Sequence, residues 1–355
     1  MACLSVLAFH FLSRGPTHQL MPGVDFPLAQ AFANYGYLGV NLFFVLSGFV
    51  ILMSAESATP RGFAASRASR LYPGLWAAAS LTAGAAWLLG DARFLVSPGD
   101  YLANLSMVPQ WFGLPYVDGA YWSLGCELQF YIVVWLVIRL GLLNRLELLM
   151  AGWLLVSTAN AVRPMWPVEL WLNAKWAPLF VAGGLFYLIR KHGMTPFRLG
   201  LLGAAFALAQ FYACSDDPPD GVVGVPPLIM LAVRASVMTA IFLLFWLIAT
   251  GRFRMQASPF IYYAGALTYP MYLIHENLGF MLYERLHRAS GMVIVPLALV
   301  LALLLAASWC IYAWIERPLG SRMRRLLAHP QRAPAVAAKR PEPEPASLIK
   351  HSIRD

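Results

Sequence analysis

The chain has 355 residues, of which 59% are hydrophobic and only 12% are charged, and its mean hydropathy is +0.62. Soluble domains carry about 25% charged residues, so the composition excludes an ordinary soluble enzyme and indicates a chain that faces lipid. The formal net charge of +9 does not indicate a nucleic-acid partner. The basic residues flank apolar runs and fill the C-terminal tail, a pattern typical of membrane topology.

Apolar runs follow one another along most of the sequence, and we interpret ten of them as transmembrane helices. The predicted spans are 1–13, 36–54, 71–90, 121–138, 148–162, 175–189, 199–213, 227–250, 259–283 and 292–315. Backbone polar groups in lipid must be satisfied within the segment, which favours helices for continuous apolar runs. The sequence therefore predicts an all-α, polytopic helical bundle.

Basic residues are concentrated in the loops after the second, fourth, sixth and eighth spans and in the tail. They are Arg61, Arg67, Arg70, Arg139, Arg145, Arg190, Lys191, Arg198, Arg252, Arg254 and the residues from Arg317 onward. The opposite loops hold fewer, and one of them carries Asp216, Asp217 and Asp220 without a basic residue. The positive-inside rule predicts that both termini are cytosolic, and an even number of spans agrees with that.

The two ends of the chain carry separate expectations. Residues 1–327 are predicted to form one integral-membrane domain, and residues 328–355, rich in proline and charge, a disordered cytosolic tail. A helix over 1–13 covers about 20 Å, against a hydrocarbon core of about 30 Å. We therefore expect either that the native product begins upstream of Met1 or that the sequence is a fragment of a longer one.

His10 and Glu127 are ionisable residues inside apolar runs, where such groups are costly and often functional. His10 ends the first span in LSVLAFHF, and Glu127 lies early in the fourth span in AYWSLGCELQFY. A histidine paired with a carboxylate can deprotonate a hydroxyl. Their similar predicted depth favours such a pair, although either side chain could instead bond neighbouring helices.

Arg67 and Arg70 lie three residues apart in SRASRLYP and share one helix face. They are either topology anchors or a site for a phosphate-bearing ligand such as coenzyme A. Ser47 and Gly48 interrupt the aromatic run GVNLFFVLSGF and indicate either close helix packing or passage of a thin pantetheine arm. For His275 in YPMYLIHEN a structural role is the commoner one, and Glu316 with Arg317 is interpreted as an interfacial ion pair.

Five segments occur here in the order found in the membrane acyltransferase-3 family, which the chain resembles from His10 to Pro318. The segments are the His10 ending of the first helix, GVNLFFVLSGF, Arg67-x-x-Arg70 followed by LYP, YWSLGCELQFY, and YPMYLIH with a terminal ERP. The sequence departs from the family pattern at Asn41, where aspartate is common, and at Leu128, where a second glutamate is common. The arginine expected before the first apolar run is absent.

The resemblance implies a multi-pass enzyme of the bacterial inner membrane that O-acylates an envelope or exported glycan. It implies His10 and Glu127 as the catalytic pair and Arg67 and Arg70 as the acyl-CoA site. To that site we add Ser47 and Gly48, as the predicted passage for the pantetheine arm. The remaining predicted substrate-cavity residues are Trp122, Ser123, Tyr131 and His275.

The expected partners are acyl-CoA, with acetyl-CoA as the first expectation, a glycan or lipid-linked saccharide acceptor, and membrane lipid. We expect no bound cofactor and no metal. The alternatives are a transporter or flippase without covalent chemistry, which predicts broken helices in paired halves, and a structural subunit of a polysaccharide-assembly complex.

Overall fold

The computed structural model describes residues 2–89, 92–253, 256 and 258–328. Within these ranges the chain forms helices, turns and loops and no strand, which confirms the predicted all-helical class. The predicted disordered tail lies outside the described residues from position 329 onward.

Sixteen α-helices occur in the described ranges. They are α1 (Ala2–Phe9), α2 (Gly15–Thr17), α3 (Pro27–Ala33), α4 (Gly39–Ala55), α5 (Pro60–Leu89), α6 (Pro98–Asn104), α7 (Trp122–Arg139), α8 (Leu146–Val162), α9 (Trp166–Leu172), α10 (Ala177–His192), α11 (Pro196–Ser215), α12 (Pro227–Ala249), α13 (Pro259–Ile274), α14 (Asn277–Ser290), α15 (Ile294–Cys310) and α16 (Arg317–Leu327). Two π-helical segments, His10–Arg14 and Ile311–Glu316, join α1 to α2 and α15 to α16.

Six helical stretches of the described chain are long and apolar enough to cross a membrane. They are Pro27–Ala55, Gly119–Arg139, Trp166–His192, Pro196–Ser215, Pro227–Ala249 and Ile294–Leu327. The protein is therefore a multi-pass membrane protein. The other predicted spans also fall on helices, but α8 has only 17 residues and α5 includes three arginines. The count of ten spans and the cytosolic termini stay predictions.

The predicted continuous span 259–283 is wrong, because the helix breaks in its middle. Helix α13 ends at Ile274 and α14 begins at Asn277, and Glu276 between them has φ −81° and ψ −86°, outside the helical region. The carboxylate of Glu276 is buried here and bonded to Arg14 at the other end of the chain. The break cannot be recognised from the apolar run alone. It brings His275 and Glu276 beside the end of α1.

Helix α10 forms the centre of the bundle, with every residue from Ala177 to Ile189 buried. It packs closely on α4 through Gly48 and Gly183. A methyl group added to Gly48 would lie 2.1 Å from the carbonyl oxygen of Phe180, and one added to Gly183 would lie 2.0 Å from that of Val45. The contact therefore brings backbone against backbone, as small residues allow in membrane helices.

Candidate active site

The first helix widens into a π-helical turn where its polar residues begin. His10 is the first residue of this turn and Arg14 the last. Single π-helical turns inside α-helices are frequent at functional sites. His10 is buried, with 6% of its surface exposed, and the side chain of Arg14 is one-third exposed. The turn thus places an imidazole and a guanidinium close together at one end of the bundle.

The carboxylate beside His10 comes from Glu276. Its Oε1 lies 3.4 Å from Nδ1 of His10 and accepts a hydrogen bond of 2.6 Å from Nη1 of Arg14. The His10 contact is electrostatic, since the atoms are not aligned as a hydrogen bond. Catalytic hydrogen bonds are often long or poorly aligned before substrate binds. The three side chains form a chain of contacts in which the carboxylate of Glu276 lies between the imidazole of His10 and the guanidinium of Arg14.

Asp118 fixes the broken helix that carries Glu276. Its Oδ2 accepts a hydrogen bond of 2.9 Å from the backbone N–H of Asn277, and its Oδ1 accepts one of 3.0 Å from that of Ala120. Gly119 follows directly, and a methyl group there would lie 2.5 Å from Oε1 of Glu276. Asp118 is fully buried. Through its two hydrogen bonds it holds the segment that carries Glu276 in place.

His275 packs behind His10 with its ring centroid 5.0 Å from that of His10, edge to face. Its Nδ1 is 2.8 Å from the carbonyl oxygen of Tyr272. Because a carbonyl only accepts, Nδ1 carries the proton. The buried Nε2 has no hydrogen-bond partner among the described residues. His275 therefore contacts the predicted catalytic histidine, but it is not among the residues that line the two cavities described below, where it was predicted to lie.

One cavity of about 510 Å³ opens onto His10, and we call it the histidine cavity. Its lining includes Arg14, Asn41 and Trp122. The rings of Trp122 and Trp176 lie 5.2 Å apart on its wall. Aromatic faces beside hydrogen-bonding groups form a surface that suits a polar ligand with apolar faces, such as a sugar ring.

Two cations organise the far side of the histidine cavity. Arg234, 4% exposed, donates from Nε to the hydroxyl of Tyr37 at 2.7 Å and from Nη1 to the carbonyl oxygen of Asp216 at 2.7 Å. Lys175 pairs with the Asp216 carboxylate at 2.7 Å, and its Nζ lies 5.1 Å from the centroid of Trp176. These contacts tie the acidic loop after α11 to the cavity.

A second cavity of about 540 Å³ contains Glu127, and we call it the glutamate cavity. Oε1 of Glu127 accepts hydrogen bonds from Ser47 at 2.7 Å and from Tyr131 at 2.5 Å. Arg67 and Arg70 line the same cavity, and the Arg67 guanidinium lies 5.8 Å from the centroid of Tyr131. The two arginines and the carboxylate, far apart in sequence, therefore share one space.

The two cavities meet at Val40 and Tyr272, which line both of them. The Tyr272 hydroxyl is 2.7 Å from that of Ser123 and 3.2 Å from the carbonyl oxygen of Ala120. Its ring packs edge to face on Phe43, with centroids 5.7 Å apart. We call the side chains of Val40 and Tyr272 the shared wall. It separates the space around His10 from the space around Glu127.

The predicted direct pair of His10 with Glu127 is wrong. The two side chains line different cavities, and the carboxylate that contacts His10 is that of Glu276. The predicted depth of a residue in its helix does not determine which helix it faces.

Most other predicted site residues do line a cavity. Trp122 lies in the histidine cavity, and Ser47, Arg67, Arg70, Ser123 and Tyr131 lie in the glutamate cavity. Gly48 does not line that cavity, because its α-carbon is pressed against α10. Of the two interpretations given for Gly48, the structure therefore agrees with close helix packing and not with a passage for the pantetheine arm.

Arg14, Glu276 and Asp118 were missed from sequence. Arg14 follows His10 by four residues, and this spacing, which places both on one helix face, was an available signal. Glu276 was the second available signal, being a carboxylate directly after a histidine at the end of an apolar run. Asp118 precedes the YWSLGCE segment and gave no signal of its own.

A family model described as an acyltransferase domain, that of the acyltransferase-3 family, matches residues 1–313. The chain belongs to this family of membrane acyltransferases. Comparison with curated proteins and with solved structures gives no match. The family assignment thus covers both cavities and the segment that carries Glu276.

Proposed function

We propose that this protein transfers an acyl group from cytosolic acyl-CoA to a hydroxyl of an envelope or exported glycan. The observation that carries the proposal is the pair of cavities that meet at Val40 and Tyr272. One contains a histidine supported by a carboxylate, and the other contains two arginines. A transfer between two substrates needs such a junction, so that the reacting atoms meet while the substrates enter separately.

His10 is the base in the proposed reaction. Its imidazole takes the proton of the acceptor hydroxyl, and the oxygen attacks the thioester carbonyl carbon. The tetrahedral intermediate collapses, the carbon–sulfur bond breaks, and the CoA thiolate receives the proton from the imidazolium. Glu276 stabilises the imidazolium through Nδ1 and leaves Nε2 for the substrate. Arg14 holds the carboxylate of Glu276 in place.

The glutamate cavity is the proposed donor site. The Arg67 and Arg70 side chains line its mouth and suit the phosphates of acyl-CoA, because guanidinium groups bind phosphate with two parallel hydrogen bonds. Ser47 and Tyr131 orient Glu127 inside this cavity. We assign Glu127 to donor positioning, in place of the role as partner of His10. Acetyl is the acyl group that we expect first.

The histidine cavity is the proposed acceptor site, and its tryptophan pair and cations would contact the saccharide. The positive-inside distribution supports a cytosolic position for both termini and for the donor cavity, and a bacterial inner membrane is the membrane that we propose. Ten spans fit this orientation. The acceptor then approaches from the opposite side, either as a free glycan or linked to lipid.

Mass spectrometry of surface glycans tests the proposal. Host cells carrying the wild-type gene should show an acylated glycan that is missing without the gene and missing with His10→Ala. The His10→Ala protein should insert at the wild-type level and bind acetyl-CoA in detergent with unchanged affinity. Identical glycan profiles in all three strains would refute the proposal.

The break between α13 and α14 also has a counterpart in transporters, whose sites often use interrupted helices. In nanodiscs a transporter would move its ligand without consuming thioester. The acyltransferase should release free CoA thiol in proportion to acylated acceptor. This measurement separates the two functions.

A further inference from the structure

An open bowl of about 980 Å³ adjoins the glutamate cavity on the side away from His10. Helices α5 and α16 form it, and four arginines line it, namely Arg67, Arg70, Arg324 and Arg325. We call this space the arginine bowl. Two of its arginines come from the Arg-x-x-Arg segment, and two come from the last helix, whose basic residues give only a topology signal in the sequence.

The position of Arg324 is fixed by helix packing. Gly320 presses against α5, where an added methyl group would lie 2.7 Å from the carbonyl oxygen of Ser69. Glu316, Gly320 and Arg324 are spaced by four residues and share one helix face. Arg324 is therefore directed toward α5 by the same contact that anchors α16, whereas Arg322 on this helix does not line the bowl.

The charges of the arginine bowl are unbalanced. Glu316, 7% exposed, is the one acidic residue among its lining residues, and its Oε2 lies 3.9 Å from Nη1 of Arg70. Four arginines against one carboxylate leave a formal charge of 4 − 1 = +3. Across the described ranges, the side chains of Arg324 and Arg325 make no hydrogen bond or ion pair. Such a concave, unpaired basic surface suits a ligand with several phosphate groups.

Arg67 and Arg70 line both the arginine bowl and the glutamate cavity. A ligand with phosphates in the bowl can therefore extend a slim arm between these arginines toward Glu127 and the shared wall. Coenzyme A has this shape, with a pyrophosphate and a 3′-phosphate at one end and pantetheine at the other. A 3′-phosphate monoester carries about −2, which complements the bowl.

We propose that Arg324 and Arg325 bind the nucleotide phosphates of the acyl-CoA donor, as an extension of the site formed by Arg67 and Arg70. This inference rests on the proposed function for the identity of the ligand. An anionic lipid headgroup offers the same phosphate chemistry, but a headgroup gives no reason for the bowl to continue into the glutamate cavity.

The test compares three donors that differ in their phosphates. Acetyl-CoA carries all of them, acetyl-dephospho-CoA lacks the 3′-phosphate, and acetyl-pantetheine lacks every phosphate. Affinity for each is measured by calorimetry on wild-type protein in detergent, on Arg324→Gln/Arg325→Gln, and on the control Arg322→Gln. The double variant should weaken acetyl-CoA binding about tenfold or more, weaken acetyl-dephospho-CoA binding less, and leave acetyl-pantetheine binding unchanged.

Charge and fold are controlled separately. Arg324→Lys/Arg325→Lys should regain part of the affinity, because lysine keeps the charge without the bidentate geometry. Each variant must elute as a single species. A double variant that matches Arg322→Gln with all three donors would overturn the proposal. The proposal would also be overturned if the double variant bound all three donors normally and lost only the stabilisation that added anionic lipid gives the wild-type protein. That result would assign the bowl to a lipid headgroup.

Failure of the proposed function gives a different pattern. Wild-type protein that binds acetyl-CoA through this bowl and never transfers acetyl would refute the acyltransfer while the binding data uphold the bowl. Wild-type protein that does not distinguish acetyl-CoA from acetyl-pantetheine would overturn the bowl assignment, whatever its transfer activity.

Discussion

Glu276 places a carboxylate oxygen 3.4 Å from Nδ1 of His10, although the two residues lie near opposite ends of the sequence. The contact depends on the break between α13 and α14, since a continuous helix would give Glu276 helical backbone angles. Arg14 bonds the same oxygen. The carboxylate that contacts His10 in the structure is that of Glu276 and not that of Glu127, and this contact supports the proposal that His10 is the base.

Glu276→Gln should lower kcat about 100-fold with little change in either KM, since the amide keeps the size but not the charge that stabilises the imidazolium. Glu127→Gln should instead raise the KM for acyl-CoA, because Glu127 lies in the donor cavity. Steady-state kinetics with varied donor and acceptor measures both. A large kcat loss confined to Glu127→Gln would restore the pair of His10 with Glu127.

Truncation of a side chain in the shared wall should let water reach the thioester of the donor. Val40→Ala and Tyr272→Ala should each raise acceptor-independent release of CoA thiol, by about tenfold for the larger truncation, because a closed site otherwise excludes water. Tyr272→Phe keeps the ring and should stay near the wild-type rate. The assay is a thiol titration without acceptor. Unchanged release in both truncated variants would show that the wall does not separate the two spaces.

Gly48→Ala and Gly183→Ala should each destabilise the bundle by about 1–3 kcal/mol, the usual cost of overpacking a core. Each added methyl group meets a carbonyl oxygen of the facing helix. Gly203→Ala on α11 is the matched control, since nothing lies within 4 Å of its added carbon. Thermal unfolding in detergent compares the three. Weakened donor binding by Gly48→Ala at wild-type stability would instead place Gly48 in the donor path.

Trp176→Ala should raise the KM for the saccharide acceptor about 3- to 10-fold while the KM for acyl-CoA stays constant, because ring stacking contributes about 0.5–1.5 kcal/mol. Trp309→Ala is the control, since Trp309 on α15 lies outside the lining of both cavities. Initial rates with each substrate varied in turn supply the values. An equal rise in both KM values would contradict the assignment of the histidine cavity to the acceptor.

The fold was largely predictable because apolar runs of helical length leave few alternatives in lipid. The break at Glu276 was not, since it depends on Arg14 and Asp118, which are distant in sequence. Arg67 and Arg70 were correctly placed together because a spacing of three fixes their common face. The partner of His10 could not be derived, because sequence gives the depth of a residue in its helix but not its rotation or its neighbours.

The shared wall also bears on how the reaction is ordered in time. Under the proposed assignment of the two cavities, Val40 and Tyr272 leave each substrate its own compartment. Both substrates can then be bound when the acyl group moves, and the proposed reaction needs no acylated protein between two half-reactions. Free CoA then competes only with the donor, and the acylated saccharide only with its unmodified form. The pattern of product inhibition would therefore show which compartment each molecule occupies.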